Sequence, residues 1–240
     1  MSDPNSRTGK PIPVDYDDDP ARFAANQAAT AGFSTAGDLH AVVARRLHQA
    51  DVAPILDLGG GNGTLARHLR IAGVSTVVVD PAAYVRQAPG PVVRADARAL
   101  PFADRSFGAV AALWMLYHLP APRVALLEAS RVLRPRGLFV ACTSSRSNDP
   151  EFAGVLPAWG EAFVFDAESA VDVVASVFDV IDVQRWDAPM MTLPDRAAVE
   201  LFLRGRGLSL ERSQQAADGF STPMTVTKRG VLVWAINRLR

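Results

Sequence analysis

The sequence predicts one α/β domain wound on both faces of a parallel sheet, and three observations carry that expectation. Ile55 to Leu65 reads Ile-Leu-Asp-Leu-Gly-Gly-Gly-Asn-Gly-Thr-Leu, an apolar strand that runs into a glycine turn and on into a helix. Apolar runs and helical periodicity then alternate as far as Cys142, which is the pattern of parallel strands joined by crossover helices. Asp57, Asp80 and Asp96 close or follow three successive apolar runs, at the strand ends where open α/β sheets bind ligands.

Taken in order, Met1 to Pro20 is polar, acidic and proline-bearing, and is expected to be a flexible arm. Ala21 to Ala31 and Thr35 to Gln49 carry helical spacing, the second with Leu39, Val42, Val43 and Leu47 on one side. Val52 to Leu58 reads as the first strand; Leu65, Ala66, Leu69 and Ile71 form a helix that Gly73 ends. Val74 with Val77 to Val79, then Val92 and Val93, supply the next two strands, and the apolar run Gly108 to Tyr117 the fourth. Pro122 stands near a helix start, and Pro135-Arg136-Gly137 turns the chain into a fifth strand ending at Cys142. Beyond it come the polar loop Ser144 to Asn148, a helix from about Ala167 with Asp166 as cap, and a sixth strand at Val180 to Val183. A helical insertion is expected from Met190 to Ser221, before a last strand at Val231 to Ile236.

The chemistry lies around the glycines. They permit a tight turn and let backbone N–H groups approach a ligand that a Cβ would push away. Asp80 is suited to accept both hydroxyls of a ribose, and Asp57 to meet a cation. An anionic pyrophosphate beside Asp57 would be opposed by Coulomb repulsion in a semi-dry site, whereas a sulfonium carrying an ammonium would be favoured.

Asp57-Leu58-Gly59-Gly60-Gly61-Asn62-Gly63 resembles the D-x-G-x-G-x-G signature of class I S-adenosylmethionine-dependent methyltransferases. Leu100-Pro101-Phe102, Ser106-Phe107, Leu116-Tyr117-His118-Leu119, Glu128 and Arg131 to Pro135 are similar to the motifs that follow in the ubiquinone/menaquinone-type, small-molecule subgroup. The close resemblance covers roughly residues 53 to 142. It implies a Rossmann-like, seven-stranded, mostly parallel sheet whose last strand is antiparallel and lies between the fifth and sixth. It also implies S-adenosylmethionine as cofactor and S-adenosylhomocysteine as product, without a metal. Asp57, Gly59, Gly61, Gly63, Asp80, Pro81, Asp96, Ala97, Leu113 and Trp114 are the cofactor residues implied. Two departures, Gly108 in place of an aspartate and Arg136 in place of a glycine, fall at strand ends remote from the cofactor. A rival reading is open: Gly61 to Ala66 also fits G-x-G-x-x-A, and Asp80 follows Gly61 by 19 residues, as in an NAD-binding oxidoreductase. Asp57, Asp96-Ala97 and the long ordered match favour the methyltransferase. A third reading is a protein that binds S-adenosylmethionine without transferring its methyl.

Methyl transfer from a sulfonium needs mainly an acceptor held in line in a water-poor site, an effect worth about 7–11 kcal/mol. His118, after the fourth strand, is the candidate base. Trp159, Phe163 and Tyr117 are candidate acceptor contacts. Segments 21–50, 144–165 and 187–221 are expected to supply acceptor and lid elements around the core 53–142, all within one domain spanning 21–240. The grouped aromatics and methionines favour a small apolar or aromatic acceptor. Asn148 to Phe152 falls short of the [D/N]-P-P-[Y/F] motif of amino-group methyltransferases, having Glu151 for the second proline.

With 240 residues, 49% hydrophobic and a formal net charge of zero, the chain offers no general field for nucleic-acid phosphates. The single cysteine, Cys142, excludes a disulfide within the chain. Gly108 to Tyr117 is far shorter than the ~20 residues that cross a bilayer, and the start lacks a signal-like apolar stretch. A cytoplasmic enzyme acting on a small molecule, as monomer or homodimer, without nucleic-acid or membrane partner, is the expectation.

Overall fold

The computed structural model describes residues 19–238. Most of the expected arm therefore lies outside the described residues. Asp19 and Pro20 belong instead to the first helix, α1 (Pro20–Phe33), where the Asp19 carboxylate accepts from Arg22 N at 3.0 Å. Then come α2 (Leu39–Gln49), β1 (Ile55–Leu58), α3 (Thr64–Ile71), β2 (Thr76–Val79), β3 (Val92–Val93), β4 (Phe107–Leu113), α4 (Pro122–Val132) and β5 (Leu133–Ser144). The chain ends with α5 (Ala170–Ala175), β6 (Asp179–Leu193), α6 (Arg196–Gly205), α7 (Leu210–Ala217) and β7 (Met224–Ile236).

The strands form one seven-stranded sheet in the order β3-β2-β1-β4-β5-β7-β6. β1 to β5 pair in parallel, and β7 runs antiparallel between β5 and β6. The reversal of strand order between β1 and β4 opens a crevice at the carboxyl ends of the strands. One face of the sheet packs on α2 and α3 through Val43, Leu47, Leu65, Leu69 and Trp234. The other packs on α4 and α5 through Leu126, Ala129 and Val174, with Phe139 stacked on Phe178 at 4.4 Å.

Of the two departures from the resembled pattern, Gly108 has a packing reason and nothing in the structure explains Arg136. A Cβ on Gly108 would stand 1.9 Å from the Val52 carbonyl oxygen, so only glycine admits that crossing. Arg136 adopts φ +63° in the irregular start of β5 and donates its N–H to Asn237 O. Two element bounds differ from expectation. The second helix starts at Leu39, not Thr35, because Ser34 bridges to Met191 and Thr35 N bonds Met190 O before Asp38 caps α2. Met190 to Leu193 is strand, not helix: β6 and β7 form two long arms paired out to Leu193 and Met224, and α6 and α7 sit at their tip. At α5, Ser169 is the N-cap; Asp166 stands one turn earlier and accepts from Ser169 N at 2.9 Å.

The arms, α6, α7 and α1 share a third cluster around Phe152, Leu193, Phe202 and Leu203. α1 crosses α6 closely, since a Cβ on Gly205 would lie 2.8 Å from Asn26 N.

Candidate active site

The turn between β1 and α3 is held from within. Gly59 N and Gly60 N donate to Val79 O at 2.7 and 3.2 Å, and Gly63 N to Gly60 O at 2.8 Å. Gly61 N donates to Asp80 Oδ2 at 3.1 Å. Gly59 and Gly63 therefore serve close packing at positive φ, and Gly60 close packing on Asp57; these four N–H groups are bonded within the protein and not turned to a ligand, which corrects the expectation from sequence. A Cβ on Gly59 would stand 2.5 Å from Met115 Cβ, and one on Gly63 2.6 Å from Ala88 Cβ. At Gly61 the only neighbour among the described residues would be the Tyr84 ring at 3.4 Å, and the turn's outer surface lines the cavity.

Asp57 lies beneath this turn, its Cγ 2.5 Å from where a Gly60 Cβ would be. It is 2% exposed, and Oδ2 has no hydrogen-bond partner among the described residues. Burial pushes its carboxyl up to about 7, with Asp80 adding repulsion and His40 and the Ala66 N–H opposing. Asp80 is buried at the end of β2, its Oδ1 accepting from Ala82 N at 2.9 Å. Pro81 follows it, its carbonyl accepting from Arg94 Nε at 2.6 Å. Asp96 accepts from Arg98 N at 2.8 Å and pairs with the Arg98 guanidinium at 2.6 Å, which holds its carboxyl below the usual range. Ala97, Leu113 and Trp114 also line the cavity, Trp114 at φ +51° with its N–H on Cys142 O at 3.0 Å.

All these residues except Gly63, which packs inward, line one cavity of about 1170 Å³. Its far side is built by α1, the turn after β4, the β6–β7 arms and the end of α6. His118 and Tyr117 line it, their rings 4.5 Å apart in the single turn Leu116–His118. Trp159 and Phe163 do not. Trp159 donates Nε1 to Asn148 O at 2.8 Å, and Phe163 packs edge-on against Tyr117 at 6.1 Å, one layer behind the wall. Phe152 and Phe165 are fully buried core residues.

Several lining residues escaped the sequence reading. Phe23 of α1 stacks on Tyr84 at 4.8 Å, and Trp186 comes from β6, beside Met190, whose place in the lining the grouped methionines had suggested. Asp38 binds His40 Nδ1 at 3.1 Å and His68 Nε2 at 2.6 Å, and the His40 hydrogen bond leads in holding its carboxyl well below the usual range. The His40 ring stands 5.3 Å from Trp114. Asp38 before an apolar helix was a readable N-cap; nothing in the sequence marked the others. Among the described residues no group of three or more His, Cys, Asp or Glu is placed to hold a metal ion, and no helix is long and apolar enough to cross a membrane.

Residues 56–141 match the family model of a methyltransferase domain. A demethylmenaquinone methyltransferase of Clavibacter sepedonicus is 30% identical over 166 residues, 65% of each chain. An uncharacterized methyltransferase of Mycobacterium marinum is 36% identical over 130 residues, 51% of this chain and 50% of that protein. The chain thus spans between half and just under two thirds of these relatives' length. The crystal structure of the [4+2]-cyclase SpnF superposes with a TM-score of 0.62 at 16% identity, over 97% of this chain and all of that one, a likeness of fold.

Proposed function

We infer, from a core that belongs to the small-molecule class I S-adenosylmethionine-dependent methyltransferases, that the chain transfers a methyl group to a small acceptor with an apolar or aromatic body. The observation that carries this is one continuous cavity joining the strand-end carboxylates to a chamber lined by Phe23, Tyr117, Trp186 and Met190. A single drug-sized ligand takes about 300–1,000 Å³; about 1170 Å³ admits the cofactor with a small acceptor beside it.

The donor set fits the cofactor. Asp57 Oδ2, buried and without a hydrogen bond among the described residues, is a complement for an ammonium. Asp80 is a carboxylate suited to ribose hydroxyls, and Asp96 with Ala97 borders the adenine side. Bound there, S-adenosylmethionine supplies an electrophilic methyl whose leaving thioether is neutral. The protein's own part is to orient the acceptor and exclude water. Leu113 and Trp114 form the wall between the two halves, and His118 accepts a proton where the nucleophile carries one.

Calorimetric titration with S-adenosylhomocysteine and with NAD, followed by an acceptor screen reading S-adenosylhomocysteine release, tests the reading. Binding of the nucleoside thioether alone is expected. Binding of NAD instead would replace the reading with a dehydrogenase, and cofactor binding without release across the screen would leave a protein that uses the cofactor without methyl transfer.

A further inference from the structure

The cavity is electrically two-ended. Asp57, Asp80 and Asp96 stand at β1, β2 and the end of β3, whereas Arg206, Lys228 and Arg229 line the side formed by the end of α6 and the outer part of β7. In the order β3-β2-β1-β4-β5-β7-β6 these are opposite flanks of the crevice.

At the cationic end two cations share one buried counter-ion. Asp149 is 2% exposed and sits behind the wall, receiving Lys228 Nζ on one oxygen at 2.5 Å and Arg206 Nε on the other at 2.7 Å. One carboxylate thus answers two cations. Arg206 gives Nη1 to Asn26 Oδ1 at 3.0 Å, and Nη2 meets no protein acceptor among the described residues. Lys228 has no oxygen partner besides Asp149 among them. Both cations lie over the Phe202 ring, Nζ at 4.5 Å and the guanidinium carbon at 4.7 Å from its centroid, which fixes them against an apolar floor. Arg229 is already matched by Asp187 at 2.9 Å. Glu151, the other acidic group near Lys228, is exposed and takes its hydrogen bonds from Thr227 N and Oγ1. Burial first, and the Arg206 charge second, lower the Lys228 ammonium to about 8 against the opposing pull of Asp149 and Glu151.

We propose that the methyl acceptor carries a carboxylate, gripped by Lys228 and Arg206 at the end of the cavity away from the strand-end aspartates. The inference rests on the methyl-transfer reading for the word acceptor and deepens it to a substrate class, an apolar or aromatic acid. A ligand carboxylate would give the two cations that share Asp149 a second acceptor inside the cavity. The open Arg206 and Lys228 N–H groups present donors to it, and Phe23, Trp186 and Met190 face the rest of the molecule.

The test uses the full chain saturated with S-adenosylhomocysteine and matched probes: benzoate and benzamide, 4-hydroxycinnamate and its amide, indole-3-acetate and its amide, with phenyl phosphate as a dianionic arm. Affinities are read by saturation-transfer NMR titration. At least one acid should bind tenfold or more tighter than its amide and tighter than phenyl phosphate. Lys228→Met should erase that preference while S-adenosylhomocysteine affinity stays within twofold, and Lys228→Arg should keep it. Should Lys228→Met fail to fold, Arg206→Gln answers the same question. Acids and amides binding alike, or none binding, overturns the proposal, as does a preference that survives both variants or goes to the phosphate. Failure of the methyl-transfer reading would appear separately, as absent S-adenosylhomocysteine binding in the unmodified chain.

Discussion

The two sides of the cavity are built by opposite means. The cofactor side is a short continuous stretch, Asp57 to Ala97, in which each aspartate ends or follows a strand and each tight glycine meets a particular neighbour. The acceptor side is assembled from α1, the turn after β4, the β6–β7 arms and α6, where residues 180 positions apart hydrogen-bond, as Asn26 and Arg206 do. The first side is specified by backbone crowding. The second is specified by side chains on a scaffold that leaves room. Gly154 and Gly160, in the segment beside the acceptor chamber, have no atom of the described residues within 4 Å of an added Cβ, in contrast to Gly59, Gly60 and Gly63. Acceptor choice can therefore change by substitution without disturbing the turn that meets the cofactor.

The sharpest way to break this contrast is a pair of glycine substitutions. Gly63→Val forces a side chain into Ala88 and Pro89 at positive φ, and overpacking with strain should lower stability by about 2–5 kcal/mol. Gly154→Ala should leave the melting temperature within about a degree. Thermal unfolding of both decides; equal losses would make the two sides alike in construction.

Next in size is Asp80→Ala. Removing the acceptor of the Gly61 and Ala82 N–H groups loosens the turn and deletes the ribose partner, at about 1.5–3 kcal/mol per charged hydrogen bond. S-adenosylhomocysteine affinity should fall at least tenfold in calorimetry; unchanged affinity in a folded variant would remove Asp80 from the site.

A pH effect should follow from Asp57. Its carboxyl is raised from 3.8 to about 7, so the folded, empty protein holds a proton that the unfolded chain has released. The associated stability is present below 3.8 and is lost as pH rises through 7. An ammonium beside Asp57 favours the ionised form. S-adenosylhomocysteine should accordingly bind about tenfold more tightly at pH 8 than at pH 6, with proton release on binding, and Asp57→Asn should flatten the profile. A flat profile in the unmodified chain would place the ammonium elsewhere.

The smallest effect is expected at Trp159. It lies one layer behind the cavity wall, tied to Asn148 O, so Trp159→Ala should leave cofactor affinity unchanged and lower acceptor turnover only a few-fold. Met190→Ala, at the wall itself, should lower turnover more. The reverse order would restore Trp159 as a direct acceptor contact.

The same contrast explains what the sequence disclosed. Strand-end aspartates and glycines lie within a few dozen residues of one another, so their spacing is legible, and the parallel core declares itself by alternation. β6 hid its length because it is the sheet's edge strand. Asp182, Arg185 and Asp187 interrupt its apolar pattern, and Pro189 sits where the register with β7 shifts. Met190 and Met191 therefore read as helix. Trp159 and Phe163 read as pocket because an aromatic behind a wall and one in it have the same local sequence. Lys228 and Arg206 could not be paired at all, since Asp149, which joins them, becomes their neighbour only when the arms fold back.

The close crossing of α1 and α6 at Gly205 carries a consequence for how the molecule comes to be folded. The sheet from β1 to β5 closes largely by local steps, whereas α1 gains its main helical partner only once the penultimate part of the chain is present. Asp19 and Arg204 clasp across 185 residues, a loop whose closure entropy must be met before any contact offsets it. The helix that comes first in the chain is expected to dock late in folding, and native-state hydrogen exchange should find α1 and α6 opening together, at lower free energy than the strands beneath them.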